Sequence, residues 1–399
     1  MTLSEPEATE FPVRLPGEPF PPRQYADFRK QPGLIRSTLP TGSPVWLVSR
    51  HEDVRTVLTD RRISSNPARE GFPNVARTGG VPTQEQIPGW FVGIDPPEHD
   101  RFRKALIPEF SVRRIRQWRP LIQETVDRCV DHLLSLGNSA DLVAEFALPV
   151  PSLVISTMLG VPFVDREFFE SRTKTLVNLK TTTEDERGVA VQELLRYIGR
   201  LIKVKQRRAG DDLISRLLET AVLSPEELTG VIMLLLIAGH ETTANNIALG
   251  VVTLLSNPQW IGDDRAVDEL LRYHSVADLV ALRVAVEDVE IGGQVVRAGE
   301  GIIPLIAGAN HDLDSFDRPA EFDPGRAARH HVAFGYGVHQ CLGQNLVRAE
   351  MEIVYRTLFR RVPTLAVDAD VTALPFKYDG TLFGLHELPV RWRTRGAKS

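Results

Sequence analysis

The longest apolar stretch in the chain runs from Val231 to Ser256, interrupted by His240, Glu241, Thr242, Asn245 and Asn246. It follows Ser224-Pro225-Glu226-Glu227, a capping box with proline at the first helical position, and it stops at Asn257-Pro258. The pattern predicts one helix from Pro225 to Ser256, roughly 48 Å long at 1.5 Å per residue. Apolar residues occur nearly all round it, so it is expected to be buried nearly all round. The run exceeds the ~20 residues of a bilayer span. Its polar interruptions favour the central helix of a large soluble protein instead.

The remaining patterning is shorter in range. Short helices are expected near Tyr25 to Lys30 and over His51 to Thr59. Leu34 to Leu39 and Pro44 to Ser49 read as a hairpin about Pro40-Thr41-Gly42. Arg113 to Leu223 is helix-rich, and Val289-Glu290-Ile291 with Gln294-Val295-Val296 flank Gly292-Gly293, a second hairpin signal. Glu269-Leu270-Leu271-Arg272 sets a carboxylate and a guanidinium at i, i+3 on a helix, a weak signal alone because most such pairs are solvated. The fold class is therefore mainly α with a minor β region.

Composition narrows this picture in three ways. No Gly/Ser linker, charge block, repeat or low-complexity tract divides the 399 residues, so a single domain over 1–399 is expected. Lys and Arg number 47 against 52 Asp and Glu, net charge -5, which argues against a nucleic-acid partner or a polybasic membrane anchor. No signal peptide precedes the proline-rich segment Phe11-Pro12-Val13-Arg14-Leu15-Pro16, and no apolar anchor helix stands at the N-terminus. A reducing, cytoplasmic location is expected.

Of the 2 cysteines, Cys129 and Cys341, the second lies in Phe334-Gly335-Tyr336-Gly337-Val338-His339-Gln340-Cys341-Leu342-Gly343. Glycines on both sides let a chain pass close to a large flat group and leave backbone donors near a thiolate. Two other readings stand beside a metal ligand. One is a buried free cysteine. The other is a zinc half-site from His339 and Cys341, with His330 and His331 as further candidates, which lacks a second pair at zinc spacing.

The pattern Phe-x-x-Gly-x-x-x-Cys-x-Gly resembles the haem-binding loop of the cytochrome P450 family, where the cysteine thiolate is the axial ligand of haem iron. The resemblance implies that Cys341 binds the metal, that Gly337 and Gly343 let the backbone approach the porphyrin, and that Phe334 packs beside the sulfur. A helix then starts at Gln344, and the haem lies between the central helix and this one. Ala238-Gly239-His240-Glu241-Thr242-Thr243 is similar to the family's oxygen-activation motif. It implies that Glu241 and Thr242 deliver protons while Ala238 and Gly239 make room for oxygen. The alternative reading is that threonine bonds back to the preceding turn and bends the helix while the glutamate faces solvent. Glu269 and Arg272 match the family's Glu-x-x-Arg pair, with Arg326 of Phe322-Asp323-Pro324-Gly325-Arg326 as the third member. His99 and Arg103, four apart in Asp95-Pro96-Pro97-Glu98-His99-Asp100-Arg101-Phe102-Arg103, are implied propionate ligands, as are Arg283 and His339. Gly384 to Trp392 resembles the family's last strand pair. Asn310-His311-Asp312 has histidine where the family more often has arginine, and Tyr336 and Val338 stand at variable positions.

The activity implied is that of a monooxygenase inserting one atom of O2 into a hydrophobic small molecule such as a polyketide, macrolide, terpenoid or xenobiotic. Electrons would come from NAD(P)H through a separate ferredoxin and ferredoxin reductase, since no flavin or iron–sulfur motif accompanies the chain. Arg101, Lys104, Arg113 and Arg114 are candidate docking cations, and a monomer is expected. Substrate contacts are expected from Arg69 to Trp90, Phe168 to Leu194, Leu235 to Ala238, Ala277 to Leu282 and Thr381 to Phe383; Leu279, Val280, Ala281, Leu382 and Phe383 argue for an apolar substrate. Oxidative coupling, desaturation or epoxidation by the same centre, a haem-based ligand sensor, and a silent interaction protein remain open alternatives.

Overall fold

The computed structural model describes residues 9–11, 17, 20–31, 33–75, 82–177, 182–378 and 381–393. Residues 12–16 of the proline-rich start, and 76–81 and 178–181 of the expected substrate segments, lie outside this description. Helix accounts for 53% of the chain and strand for 10%, as expected of a mainly α protein. In chain order the helices are α1 (Arg23–Lys30), α2 (His51–Thr59), α3 (Glu98–Leu106), α4 (Val112–Ser135), α5 (Pro149–Met158), α6 (Arg166–Val177), α7 (Glu184–Arg207), α8 (Leu213–Thr220), α9 (Pro225–Ser256), α10 (Arg265–His274), α11 (Ile306–Asn310) and α12 (Gln344–Arg361). The strands are β1 (Thr9–Glu10), β2 (Ile35–Thr38), β3 (Pro44–Val48), β4 (Ile63–Ser64), β5 (Ser139–Asp141), β6 (Arg283–Ala285), β7 (Val289–Ile291), β8 (Gln294–Val296), β9 (Gly301–Pro304), β10 (Ala366–Val367) and β11 (Pro389–Arg391).

The chain divides into two compact units. One comprises Met1–Pro82, Ala248–Gln344 and Ala369–Leu388; the other comprises Thr83–Ile247, Asn345–Asp368 and Pro389–Ser399. Among the described residues no helix is long and apolar enough to cross a membrane.

The first unit is organised by a sheet of order β1-β2-β3-β9-β6-β4. The expected hairpin is present: β2 and β3 run antiparallel with Ile35 opposite Leu47, and the turn closes with Gly42 at φ 87°. Alternation along β3 then divides the core. Trp46 and Val48 pack with Val54, Ile302 and Val332 on one face, whereas Val45 and Leu47 pack with Tyr25, Phe28 and Ile303 on the other. Both faces are covered, which is why Pro44 to Val48 is almost continuously apolar. The second hairpin, β7–β8, forms about Gly292 and Gly293, both at positive φ.

The second unit is helical, with a small sheet of order β10-β11-β5. Ile115, Ile122, Val126, Cys129, Val130 and Leu133 give α4 its buried stripe. Cys129 is thus a core residue. Thr183 and Glu186 close a capping box at the start of α7, each receiving the other's backbone N–H, at 3.2 and 2.7 Å. Residues 384–392 depart from the expected strand pair: Leu385 bridges Phe376 in the first unit, while β11 pairs with β10 and β5 in the second.

Helix α9 begins and ends where the pattern predicted. Ser224 Oγ accepts from Glu227 N at 3.2 Å, Glu227 Oε2 accepts from Ser224 N at 2.9 Å, and Asn257 Nδ2 donates to Thr253 O at 2.9 Å past the last turn. Inside the helix, Gly230 faces the Pro88 carbonyl so closely that a Cβ would stand 1.9 Å from its oxygen. Glycine to alanine within a helix ordinarily stabilises by about 1 kcal/mol. Here the collision with backbone reverses the sign, so Gly230→Ala lowers the thermal midpoint, as measured by circular dichroism, instead of raising it.

Candidate functional site

The cysteine loop, in the first unit, is built from short backbone closures. Gly335 N donates to Val332 O at 2.8 Å, Gln340 N to Gly337 O at 3.1 Å, and Cys341 N to Phe334 O at 2.8 Å, so Phe334 and Cys341 are drawn together. Gly335 and Gly337 take φ of 67° and 72°, and a Cβ on Gly337 would stand 2.6 Å from Leu58 O of α2. Glycine is required at 337 on both counts. At Gly343 a Cβ would only touch Cys341 Sγ at 3.9 Å, an ordinary contact. The Cys341 thiol is part-exposed, unlike Cys129, and α12 starts three residues later at Gln344.

Helix α2 and the strand after it flank this loop. The Tyr336 hydroxyl accepts from Arg55 Nη2 at 2.6 Å, with the guanidinium 4.3 Å over its ring. Ser65 Oγ lies 2.9 Å from His339 Nε2, so this imidazole is held by a buried hydroxyl. His330 Nε2 meets Ser315 O at 3.0 Å and His331 Nε2 lies 3.7 Å from Asp268. Among the described residues no three His, Cys, Asp or Glu side chains gather as a metal cage, so the zinc half-site gains no support.

The Glu-x-x-Arg pair is buried and joined by a third side chain, Arg326. Arg272 is forked on Glu269 through Nε and Nη2, both at 2.8 Å, with the two side chains 0% and 1% exposed. Arg326 Nε and Asp323 N both reach Glu269 Oε1 at 2.9 Å. The donors left over bind carbonyls: Arg272 Nη1 that of Asn310 at 2.7 Å, and Arg326 those of Asp317, Arg318 and Glu321. In a cluster like this, loss of one partner strands a buried charge, at a cost of roughly 3–5 kcal/mol.

In the second unit, one stripe of α9 is open. Ala238 is exposed, and Leu235, Gly239, Glu241 and Thr242 are half-buried, while Val231 to Leu234 and Thr243 to Gly250 are buried. Nothing lies within 4 Å of the position a Cβ on Gly239 would take. The Thr242 hydroxyl donates to Ala238 O at 2.8 Å, the back-bonding weighed above as a structural role, and Thr242 O accepts from Asn246 Nδ2 at 2.9 Å. On α3, His99 is 1% exposed and Arg103 is half-buried. Burial, then the charge of Arg103, lowers the His99 pKa to about 4, so this imidazole is neutral at pH 7. Arg283, on β6 of the first unit, is buried, with Nη1 donating to Leu282 O at 2.8 Å.

The expected surface and pocket residues differ in exposure. Arg101 is paired with Glu227, and Arg114 lies 3.5 Å from Glu109, whereas Lys104 and Arg113 are exposed. Leu279 and Leu282 belong to the core around Tyr25 and Leu305, and Phe383 stacks on Phe20 at 3.8 Å. Val280 is half-exposed and Ala281 and Leu382 are partly open.

Among the chemical groups that sequence reasoning left without a role are Ser65, Asn310, Asp312 and Glu350. Asn310 and Asp312 were visible as a motif. Glu350 carried a signal as well, an acid among Leu346, Ala349, Met351, Ile353 and Val354 on α12.

These features define a mainly helical protein with a glycine-bounded thiol loop and an open stripe on its central helix. The family model described as Cytochrome P450 matches residues 264–391. Cytochrome P450-SU2 of Streptomyces griseolus is 42% identical, covering 98% of this chain and 100% of that protein. Mycinamicin VIII C21 methyl hydroxylase of Micromonospora griseorubida is 42% identical over 93% of this chain and 96% of its own length. The crystal structure of cytochrome P450 MoxA from Nonomuraea recticatena superposes with a TM-score of 0.90 at 43% identity, covering 97% of this chain and 99% of that one. The chain belongs to the cytochrome P450 family, the haem-dependent monooxygenases, and is an oxidoreductase.

Haem requires a thiolate for iron, donors for two carboxylates and an apolar face without side-chain bulk. Each unit carries residues of the kinds that fit: a part-exposed thiol, Arg283 and His339 in the first, and Arg103, His99 and the bare stripe at Ala238 and Gly239 in the second.

Burial without a partner for Oε2 raises the Glu350 pKa from 4.5 to about 8. The fold therefore holds this proton where the unfolded chain releases it, and the cost grows as pH rises from 4.5 towards 8. Glu350→Gln accordingly leaves stability near wild type at pH 4 and raises it by about 3 kcal/mol at pH 7, read by denaturant unfolding at the two pH values.

Proposed function

We propose that this chain hydroxylates a hydrophobic small molecule, with macrolides, other polyketides and terpenoids as the substrate class and electrons from a ferredoxin. The observation that carries this reading is the open stripe of α9, where a helix buried from Val231 to Leu234 and again from Thr243 to Gly250 exposes Ala238 and leaves the Cβ position of Gly239 clear for 4 Å, beside an acid and an alcohol. Relatives named as mycinamicin VIII C21 methyl hydroxylase, pentalenic acid synthase and vitamin D3 dihydroxylase, 42 to 43% identical, support it.

Haem, when bound, supplies the centre that places one atom of O2 in the substrate while the other leaves as water. Cys341 is its thiolate ligand, with Phe334 beside the sulfur and Gly337 and Gly343 keeping the loop slim. Arg103 and Arg283 are charged donors for the propionates, and His99 and His339 are imidazole donors. Glu241 takes protons from solvent and passes them inward, and Thr242 receives and orients them at its hydroxyl oxygen. Glu269, Arg272 and Arg326 hold the chain around the loop. Val280, Ala281 and Leu382 are the substrate-facing members of their segments. The chain acts as one functional domain over 1–399, monomeric and cytoplasmic. A separate ferredoxin, reduced by an NAD(P)H-dependent reductase, docks on exposed Lys104 and Arg113, with Arg101 and Arg114 weaker because acids already engage them.

The first test is the carbon monoxide difference spectrum of the reduced protein. Wild type and Cys129→Ala show a strongly red-shifted Soret band, and Cys341→Ala loses it; a Cys341→Ala protein that kept the band would overturn the ligand assignment. Thr242→Ala leaves that band in place but consumes reducing equivalents with less product and more peroxide, by roughly tenfold in the peroxide-to-product ratio, measured in the same reconstituted turnover. Unchanged coupling would remove the proton-relay role.

A further inference from the structure

The segment Asn310-His311-Asp312 is unused by the reading above, and its two polar arms reach the cysteine loop from different directions. Asn310 is fully buried. Its Oδ1 accepts from Val332 N at 2.8 Å, at the entry to the loop, and its Nδ2 donates to Ser275 Oγ at 2.8 Å. Ser275 Oγ in turn donates to Arg272 O at 2.7 Å, and Arg272 Nη1 donates to the Asn310 carbonyl. Asn310 is therefore bonded by side chain and main chain to the Glu-x-x-Arg helix, and by its remaining side-chain atom to the loop. From Val332 the chain continues through the Gly335 N to Val332 O bond to Phe334, whose carbonyl receives Cys341 N.

The second arm is Asp312. Its Oδ2 accepts from His51 N at 2.9 Å, at the first residue of α2. Helix α2 is the element whose Leu58 carbonyl faces Gly337 and whose Arg55 holds Tyr336. His51 Nε2 also lies 3.1 Å from His330 O, two residues before Val332.

We infer that Asn310 is a positioning residue that fixes the Cys341 loop to the buried Glu269–Arg272–Arg326 cluster through its bond to Val332, with Asp312 holding the opposite flank through α2. A single amide suits this because one oxygen and one nitrogen, both buried, serve two different segments. Any substitution that removes the oxygen frees Val332 from the cluster and leaves a buried N–H unsatisfied. The inference rests on Cys341 being the haem ligand.

The test compares Asn310→Ala with Ser275→Ala as purified holoproteins. The readings are the ratio of the unshifted to the red-shifted Soret band in the reduced carbon monoxide complex, and the thermal midpoint. Asn310→Ala raises that ratio by about tenfold, the order expected for one buried hydrogen bond. Ser275→Ala, which leaves the Oδ1 to Val332 bond in place, lowers the midpoint without moving the ratio. A lowered midpoint with an unchanged ratio in Asn310→Ala would make the residue merely structural, and an equal shift in Ser275→Ala would reduce the effect to general loosening. Either result overturns the inference. If Asn310→Ala gives no holoprotein, Asp312→Ala decides through the second arm: a raised ratio sustains the bracket and an unchanged one sinks it. A wild-type protein without the red-shifted band would instead refute the assignment of Cys341 itself.

Discussion

The first unit depends on one buried carboxylate. Glu269 receives a forked guanidinium from Arg272, a third contact from Arg326 and a backbone N–H from Asp323. A lone carboxylate at 1% exposure would be untenable, so it is the complete set of donors that makes the site stable. Because the surplus N–H groups of both arginines go to main-chain carbonyls at 310, 317, 318 and 321, the cluster fixes the path of irregular chain, not the packing of helices. Residues 311–340 have little regular structure of their own. Charge-assisted bonds take over the task that a ladder of strands or a turn of helix performs elsewhere.

Histidines around this cluster are kept neutral by their burial, with the Arg272 charge adding to it. His274 and His311 both have pKa values lowered to about 3, by burial first and by Arg272 second. Each would bind a proton in the unfolded chain near pH 6.5 and refuses it in the fold, so their contribution is intact above pH 6.5 and is lost as pH falls towards 3. His274 spends its ring nitrogen on Thr253 at 2.8 Å and His311 on the Ala307 carbonyl at 3.0 Å. These are imidazoles used as fixed polar wedges.

Much of this was legible in the sequence where a single local rule governs. The bounds of α9 follow from a capping box and an Asn-Pro stop, those of α2 from its flanking turns, and the β2–β3 hairpin from Pro40-Thr41-Gly42. Cys341 was visible because glycines bracket it at short spacing, whereas Glu269, Arg272 and Arg326 stood out only through the family resemblance, the i, i+3 pair being a weak signal alone. What was hidden required knowledge of which distant segments meet. Leu279, Leu282 and Phe383 looked like pocket lining and are core, because apolar character does not say which surface a side chain covers. Gly384 to Trp392 looked like a pair of strands and is split, because pairing partners are set by tertiary position. Ser65 left no signal at all, and Asn310 stood in a visible motif without a role; a serine and an asparagine say little until the fold places them against an imidazole and a backbone amide.

The Thr242 hydroxyl illustrates how a helix can prejudge the chemistry offered by its own side chain. Its hydrogen is committed to the Ala238 carbonyl one turn back, in a bond of 2.8 Å. What the open stripe presents is therefore the lone-pair side of the oxygen. Towards an approaching small molecule the helix behaves as a Lewis-basic edge, welcoming water or any species that brings its own O–H and offering nothing to a bare acceptor. Selectivity of this kind depends on the direction in which one proton points, and it would persist whatever the size or shape of the substrate beside it.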